Sequence, residues 1–209
     1  MKLYDYVLSS DCYKVRLLAG CLGIELQTIP VNVFPGEEHR SPEFLAVSPL
    51  GKIPVLSDGG VVLQDAHAIL VYLAKRQGDA GAAWYPDADA ASCAAVQQWL
   101  TFATELDGTI GAARQHSMLG KPLDVDRARS GAREQITALD DHLTDREFDG
   151  SAWIVGNSPT IADVAVFAQV AVAGDGAIDL TPYKAVGRWL KTMVSVPGFS
   201  PMPGISAIR

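Results

Sequence analysis

Positive charge is in short supply in this sequence. Lys and Arg number 17 against 24 Asp and Glu, a formal net charge of −7. No basic surplus exists to neutralise phosphates, so nucleic acid is not an expected partner. Cysteine is scarce too. Cys12, Cys21 and Cys93 are an odd number and far apart, which excludes a disulfide framework and reads as reduced thiols. No apolar run approaches the length needed to cross a membrane. The chain opens as a strand rather than as an apolar signal region, so the expected location is cytoplasmic. No set of His, Cys, Asp and Glu has metal-ligand spacing, and no Gly-rich loop resembles a phosphate cradle. What is present is globular: 48% apolar and 20% charged over 209 residues, enough for one large domain or two small ones.

Residues 3 to 8 read as a buried strand. A Ser9-Ser10-Asp11-Cys12 corner follows, with the spacing of a C-x-x-C redox motif but a serine where the first thiol would stand. Cys12, Val15, Ala19 and Leu22 then recur at helical spacing up to Gly23. Ile29, Val31 and Val33 alternate with polar or turn-forming neighbours as a strand does, completing a βαβ unit with parallel strands. Residues 34 to 50 read as a long loop with one helical turn. Apolar runs at 53–56 and 61–63 flank Asp58-Gly59-Gly60, a hairpin signal. Asp65 is a candidate N-cap for an amphipathic helix carrying Ala66, Ile69, Leu70 and Leu73, with Gly78 past its end. Residues 1 to 78 are therefore expected to form an α/β domain, 79 to 87 a linker, and 88 to 209 an all-helical domain. In that second part Val96, Trp99, Leu100, Ala103, Leu106 and Ile110 predict one long helix, and Ala128, Ile136, Leu139 and Leu143 another. The stretch TIADVAVFAQVAVA is apolar all round, so its helix should be central; Thr160 and Asp163 form a capping signature at its start. A last helix is expected from about Tyr183, with Val186, Trp189, Leu190 and Met193 on one face.

Four stretches in this order, SSDCYKVRLL, SPLGKIPVL, QDAHAILVYLA and TIADVAVF, resemble those of cytosolic glutathione transferases over essentially the whole chain. The resemblance implies a thioredoxin-like first domain, an all-helical second domain, a two-fold homodimer, glutathione as co-substrate and a small-molecule electrophile as the second. Aligned on Lys14-Val15-Arg16 with the omega-like and zeta-like branches, Ser9 takes the position of the catalytic Cys or Ser, with Ser10 beside it. A serine hydroxyl is no base at neutral pH, but it can donate a hydrogen bond to a thiolate and favour the ionised thiol. The helix N-terminus acts in the same direction.

The same resemblance implies that the Ile53-Pro54 bond is cis and that the backbone of Ile53 pairs with the cysteinyl unit of glutathione. Read from the residues alone, Pro54 is equally a proline at the start of a strand. Lys52 and His39 are candidates for the glycyl carboxylate, although His39 in its charged run also reads as a solvated loop residue. Asp65 and the N–H of Ala66 would meet the γ-glutamyl end at a helix N-terminus. Most family members carry a serine where Ala66 stands, so one hydrogen bond to that carboxylate is lost. Asp11 occupies a position where several bacterial relatives have asparagine, and is expected to turn away from a thiolate as a helix cap. Cys12 reads as a packed core thiol, with a redox role as the alternative.

Trp99, Phe102, Arg114 and His116 are placed on the first helix of the second domain. Phe102 and Arg114 are candidates for the electrophile pocket, together with the C-terminal segment SPMPGISAIR, while Trp99 reads as core. Two readings compete with conjugation or thiol-dependent peroxide reduction. One is glutathione-dependent cis–trans isomerisation of the zeta type, although that branch has a cysteine where Asp11 stands. The other is a degenerate family member that binds a ligand or a partner protein without turnover, to which Ala66 and Asp11 together point.

Overall fold

The computed structural model describes residues 1–203 and Ile205. β1 (Lys2–Asp5), α1 (Ser10–Cys21) and β2 (Gln27–Pro30) form the βαβ unit, with β1 and β2 parallel. A 3-10 turn (Glu38–Arg40) and α2 (Pro42–Leu45) fill the loop that follows. β3 (Val55–Asp58) and β4 (Val61–Leu63) make the hairpin, and Gly59 and Gly60 both have positive φ, 53° and 97°. A two-residue hairpin turn of the primed kind requires this, and glycine adopts it without steric cost. β3 runs antiparallel to both β1 and β4, so the sheet order is β2-β1-β3-β4. α3 (Ala66–Arg76) comes next. The topology brings the exit of β1, the entry to β3 and the exit of β4 to the same end of the sheet.

Two apolar layers flank the sheet. Val31, Phe44 and Val55 pack on one side. On the other, Leu3 and Leu56 join Val15, Leu17 and Leu18 of α1 and Ile69, Leu70 and Leu73 of α3 in a core that continues into the helical part. The segment read as a linker is packed. α4 (Asp79–Ala82) makes one turn, Trp84 is buried, and the Ile161 N–H donates to the Trp84 carbonyl at 2.8 Å.

The second part comprises α5 (Ala90–Glu105), α6 (Ile110–Leu119), α7 (Val125–Phe148), α8 (Ile161–Val170) and α9 (Lys184–Val194), with no strand among its described residues. The single helix expected through Ile110 is broken by a 3-10 turn at Leu106–Gly108, so Arg114 and His116 lie on α6. Gly108 weakens the helix there, and the Thr109 hydroxyl donates to the Leu106 carbonyl at 3.3 Å, tying the turn together. Leu106 and Ile110 are both buried. The apolar stripe thus runs through the break, and periodicity alone does not reveal it.

α8 is buried on every side, as its all-round apolarity predicts. Its capping box is present. Asp163 accepts from the Thr160 N–H at 2.9 Å and hydroxyl at 3.1 Å, and also from the Ile154 N–H and Trp189 Nε1, each at 3.0 Å. The chain returns beyond α9 to the first part. Tyr13 donates to the Ser200 carbonyl at 2.8 Å, and Met202 and Ile205 are buried in the main core. Of the C-terminal segment assigned to the electrophile pocket, Gly204 and residues 206–209 lie outside the described residues.

Candidate functional site

At the end of the sheet where β1 exits, a cavity of about 250 Å³ opens between the two parts of the chain. Ser9, Ser10 and Asp11 line it from the first turn of α1, and Ile53 from the entry to β3. Asp107, Gly111, Arg114, Gln115 and Met118 line it from the 3-10 turn and one face of α6. Their spacing of three or four residues is that of a single helical face.

Ser9 is the N-cap of α1, and its hydroxyl oxygen accepts from the Cys12 N–H at 3.2 Å. The oxygen is thereby oriented, and the hydroxyl proton remains for an acceptor in the cavity. Asp11 is not the cap, contrary to expectation. Its carboxylate accepts from Lys14 Nζ at 2.7 Å, and a fully buried ammonium compensates its charge. The reason is competition for the helix end: Ser9 already fills the capping position, which leaves Asp11 in the first turn facing Lys14. Lys14 Nζ also lies 3.2 Å from Nε2 of His67 at the start of α3. Burial, and then the charge of Lys14, hold His67 down at about 4, so the ring is a neutral acceptor for that ammonium. Cys12 is buried, and burial pushes its thiol up to about 12; it accepts from the Tyr6 N–H and behaves as a core group.

The Ile53-Pro54 bond is cis. Neither the N–H nor the C=O of Ile53 enters a hydrogen bond among the described residues. Pro54 is buried beneath, and Lys52 is exposed beside it. The loop is braced by Ser48, whose hydroxyl donates to the Lys52 carbonyl at 2.9 Å and accepts from the Lys52 N–H at 3.1 Å. His39 passes next to this loop: a Cβ on Gly51 would lie 2.7 Å from the His39 carbonyl. Asp65 is the N-cap of α3 and accepts from the Ala68 N–H at 2.8 Å. Asp65 and Ala66 share this end of the sheet but stand outside the cavity wall.

Arg114 is largely buried and fastens α6 to the loop that carries Ser9. Nη1 donates to the Leu8 carbonyl at 2.6 Å and Nε to Asp175 at 2.9 Å. Phe102 is not in the cavity. It lines a separate depression with Gln98, Trp99, Thr101 and Glu105, and packs edge-on against Trp99 at 4.9 Å between centroids. The break at Leu106–Gly108 accounts for the difference, since α6, rather than α5, forms the cavity wall. Sequence reasoning missed Asp107, Gly111 and Met118. Their common face becomes visible only when the phase of α6 is known.

The chain matches the family model of the glutathione S-transferase N-terminal domain over residues 3–81 and that of the C-terminal domain over residues 96–197. Glutathione S-transferase 2 of Anopheles gambiae is 33% identical over 192 residues, which are 91% of this chain and 88% of that protein. The chain belongs to the glutathione S-transferase family. The solved structure of a glutathione S-transferase from Pseudomonas fluorescens covers 97% of this family member and 98% of its own chain, at a TM-score of 0.85 and 28% identity. Ure2p in complex with glutathione covers 94% and 90%, at a TM-score of 0.81 and 26% identity. Among the described residues no helix is long and apolar enough to cross a membrane, and no group of His, Cys, Asp and Glu could hold a metal ion.

Proposed function

We propose that this family member uses glutathione as co-substrate and conjugates its thiolate to a small hydrophobic electrophile in the cavity between Ser9 and α6. The observation that carries the reading is Ser9: its oxygen accepts from the Cys12 N–H, and its hydroxyl, left with a proton to donate, lines a cavity that Ile53 also lines. The Ile53 backbone would pair with the cysteinyl unit. Lys52, with His39 beside it, would take the glycyl carboxylate, and Asp65 and the first N–H groups of α3 the γ-glutamyl end. A hydroxyl and a helix N-terminus both favour the ionised thiol. The same arrangement serves thiol-dependent reduction of a peroxide. The described residues supply no thiolate for disulfide exchange at this corner, because Cys12 is buried with its thiol pushed up to about 12. A two-fold dimer is part of the proposal, and sedimentation tests it.

Thermal denaturation with millimolar reduced glutathione tests the binding step, since a ligand of the native state raises stability by mass action. Stabilisation together with turnover of an activated chloroarene is the expected result. Absence of any stabilisation overturns the reading. Ala66 favours one second reading, a member that binds glutathione weakly without turnover; stabilisation with no turnover of chloroarene, epoxide or hydroperoxide would establish it. Isomerisation of the zeta type has less support, because Asp11, engaged with Lys14, occupies the place of that branch's extra cysteine.

A further inference from the structure

Activating a thiol uses the first domain's side of the cavity and leaves one group on the other side unemployed. Asp107 sits in the 3-10 turn between α5 and α6 and lines the same cavity as Ser9 and Ser10. Its Oδ1 is held by Nε2 of Gln169, a buried residue of α8. Its Oδ2 has no protein partner among the described residues and is not fully buried, in a residue that lines the cavity. Gly111 follows one turn on, at the start of α6, and a Cβ there would stand 3.5 Å from Oδ1 of Asp107, an ordinary van der Waals contact. A carboxyl fixed at one oxygen and open at the other, beside the site where a sulfur adds, is arranged to transfer a proton.

We propose that Asp107 is a catalytic acid for the second substrate, and that the substrates it serves are electrophiles whose oxygen needs a proton as the carbon–sulfur bond forms, the small epoxides above all. The proposal rests on the conjugation reading and extends it to substrate class. In the step, the glutathione thiolate forms a bond to a ring carbon of the epoxide and the carbon–oxygen bond breaks. The electron pair goes to oxygen, and the Asp107 carboxyl gives that oxygen its proton. Solvent reprotonates Asp107 through the open cleft. A chloroarene needs no such step, since chloride leaves unprotonated.

The groups that face Asp107 support this role. Burial, and then the charge of Asp11 on α1, push its carboxyl up to about 6, against the opposing effects of Lys14 and the Gln169 hydrogen bond. A group that holds its proton into this range gives it up readily near neutrality. Of the remaining cations of the cavity wall, Arg114 binds Asp175 through Nε and Leu8 through Nη1, its buried Nη2 having no partner among the described residues, and Lys121 donates to Gln115 at 2.6 Å. On α3, His67 faces Lys14 and stays neutral.

The test compares kcat/KM of the whole protein with glutathione and either a small epoxide or an activated chloroarene, against pH, for the natural protein and Asp107→Asn. The epoxide-to-chloroarene ratio should fall by about 10²–10⁴-fold in the variant, the range that a positioned acid contributes. The natural protein should show a descending limb at higher pH with the epoxide only, and the variant should lose it. Equal losses with both electrophiles, or the same pH profile for both, would overturn the assignment while leaving conjugation intact. So would chloroarene turnover with no epoxide turnover. Failure with both electrophiles and no glutathione binding in calorimetry would overturn the conjugation reading itself. If Asp107→Asn does not fold, the two pH profiles of the natural protein carry the test: a descending limb with the epoxide alone is expected, and the same profile for both electrophiles overturns the assignment.

Discussion

At the scale of single residues, two positions decide how well the cleft handles glutathione. Ser9 has a hydroxyl proton to give, and a hydrogen bond to a charged partner contributes roughly 1.5–3 kcal/mol. That is about one to two pH units in the ionisation of the bound thiol. Ser9→Ala is therefore expected to raise the pH at which bound glutathione ionises by that amount and to lower turnover near neutrality. Thiolate absorbance followed across pH checks it, and an unchanged titration would remove Ser9 from the mechanism. Ala66 acts in the opposite sense. Its N–H stands at the α3 N-terminus, but it has no hydroxyl to offer a carboxylate. Ala66→Ser should tighten glutathione binding severalfold in calorimetry on the two proteins; equal affinities would contradict that placement of the γ-glutamyl end.

At the scale of elements, what could be read from the sequence was whatever is local. The βαβ unit, the Asp58-Gly59-Gly60 hairpin, the Asp65 cap and the Thr160–Asp163 capping box all follow from spacing and turn chemistry within a few residues, and all are present. The break at Leu106–Gly108 was not legible, because buried Leu106 and Ile110 preserve the apolar period across it. The α6 side of the cavity wall, Arg114 apart, was lost with it, since Gly111 and Met118 declare a common face only once α6 starts at Ile110. Asp163 has a local part and a hidden one. Its cap on α8 can be read from Thr160, but its hold on the Ile154 N–H and Trp189 Nε1 joins chain segments that only the fold brings together. Asp163→Ala would strip four buried donors of their acceptor, at about 1–3 kcal/mol for each left unsatisfied. A drop in urea midpoint well beyond that of a typical surface cap is expected. A loss near ~1 kcal/mol, the usual value for an N-cap, would mean that the Ile154 and Trp189 contacts contribute little.

At the scale of the whole molecule, the seam between the two parts sets how stability responds to acid. His67 of α3 and Asp107 of the α5–α6 turn are both near Lys14, and the fold moves them in opposite directions: His67 from 6.5 to about 4, Asp107 from 3.8 to about 6. For His67 the unfolded chain takes up a proton that the folded protein refuses. Stability present above pH 6.5 is therefore lost as pH falls toward 4. For Asp107 the folded protein takes the proton first. Its contribution is fully present below pH 3.8 and is lost as pH rises through 6. Each is on the order of 3 kcal/mol, and their windows nearly coincide, so in the natural protein they largely cancel. Single substitutions should separate them. Between pH 6.5 and 4, His67→Gln should lose less stability than the natural protein, and Asp107→Asn should lose more. Urea midpoints of the three proteins taken across this window measure the differences directly, because contributions from all other carboxylates are common to them. Three parallel curves would mean that neither group titrates as its surroundings demand, and that water reaches the seam where Lys14 is buried.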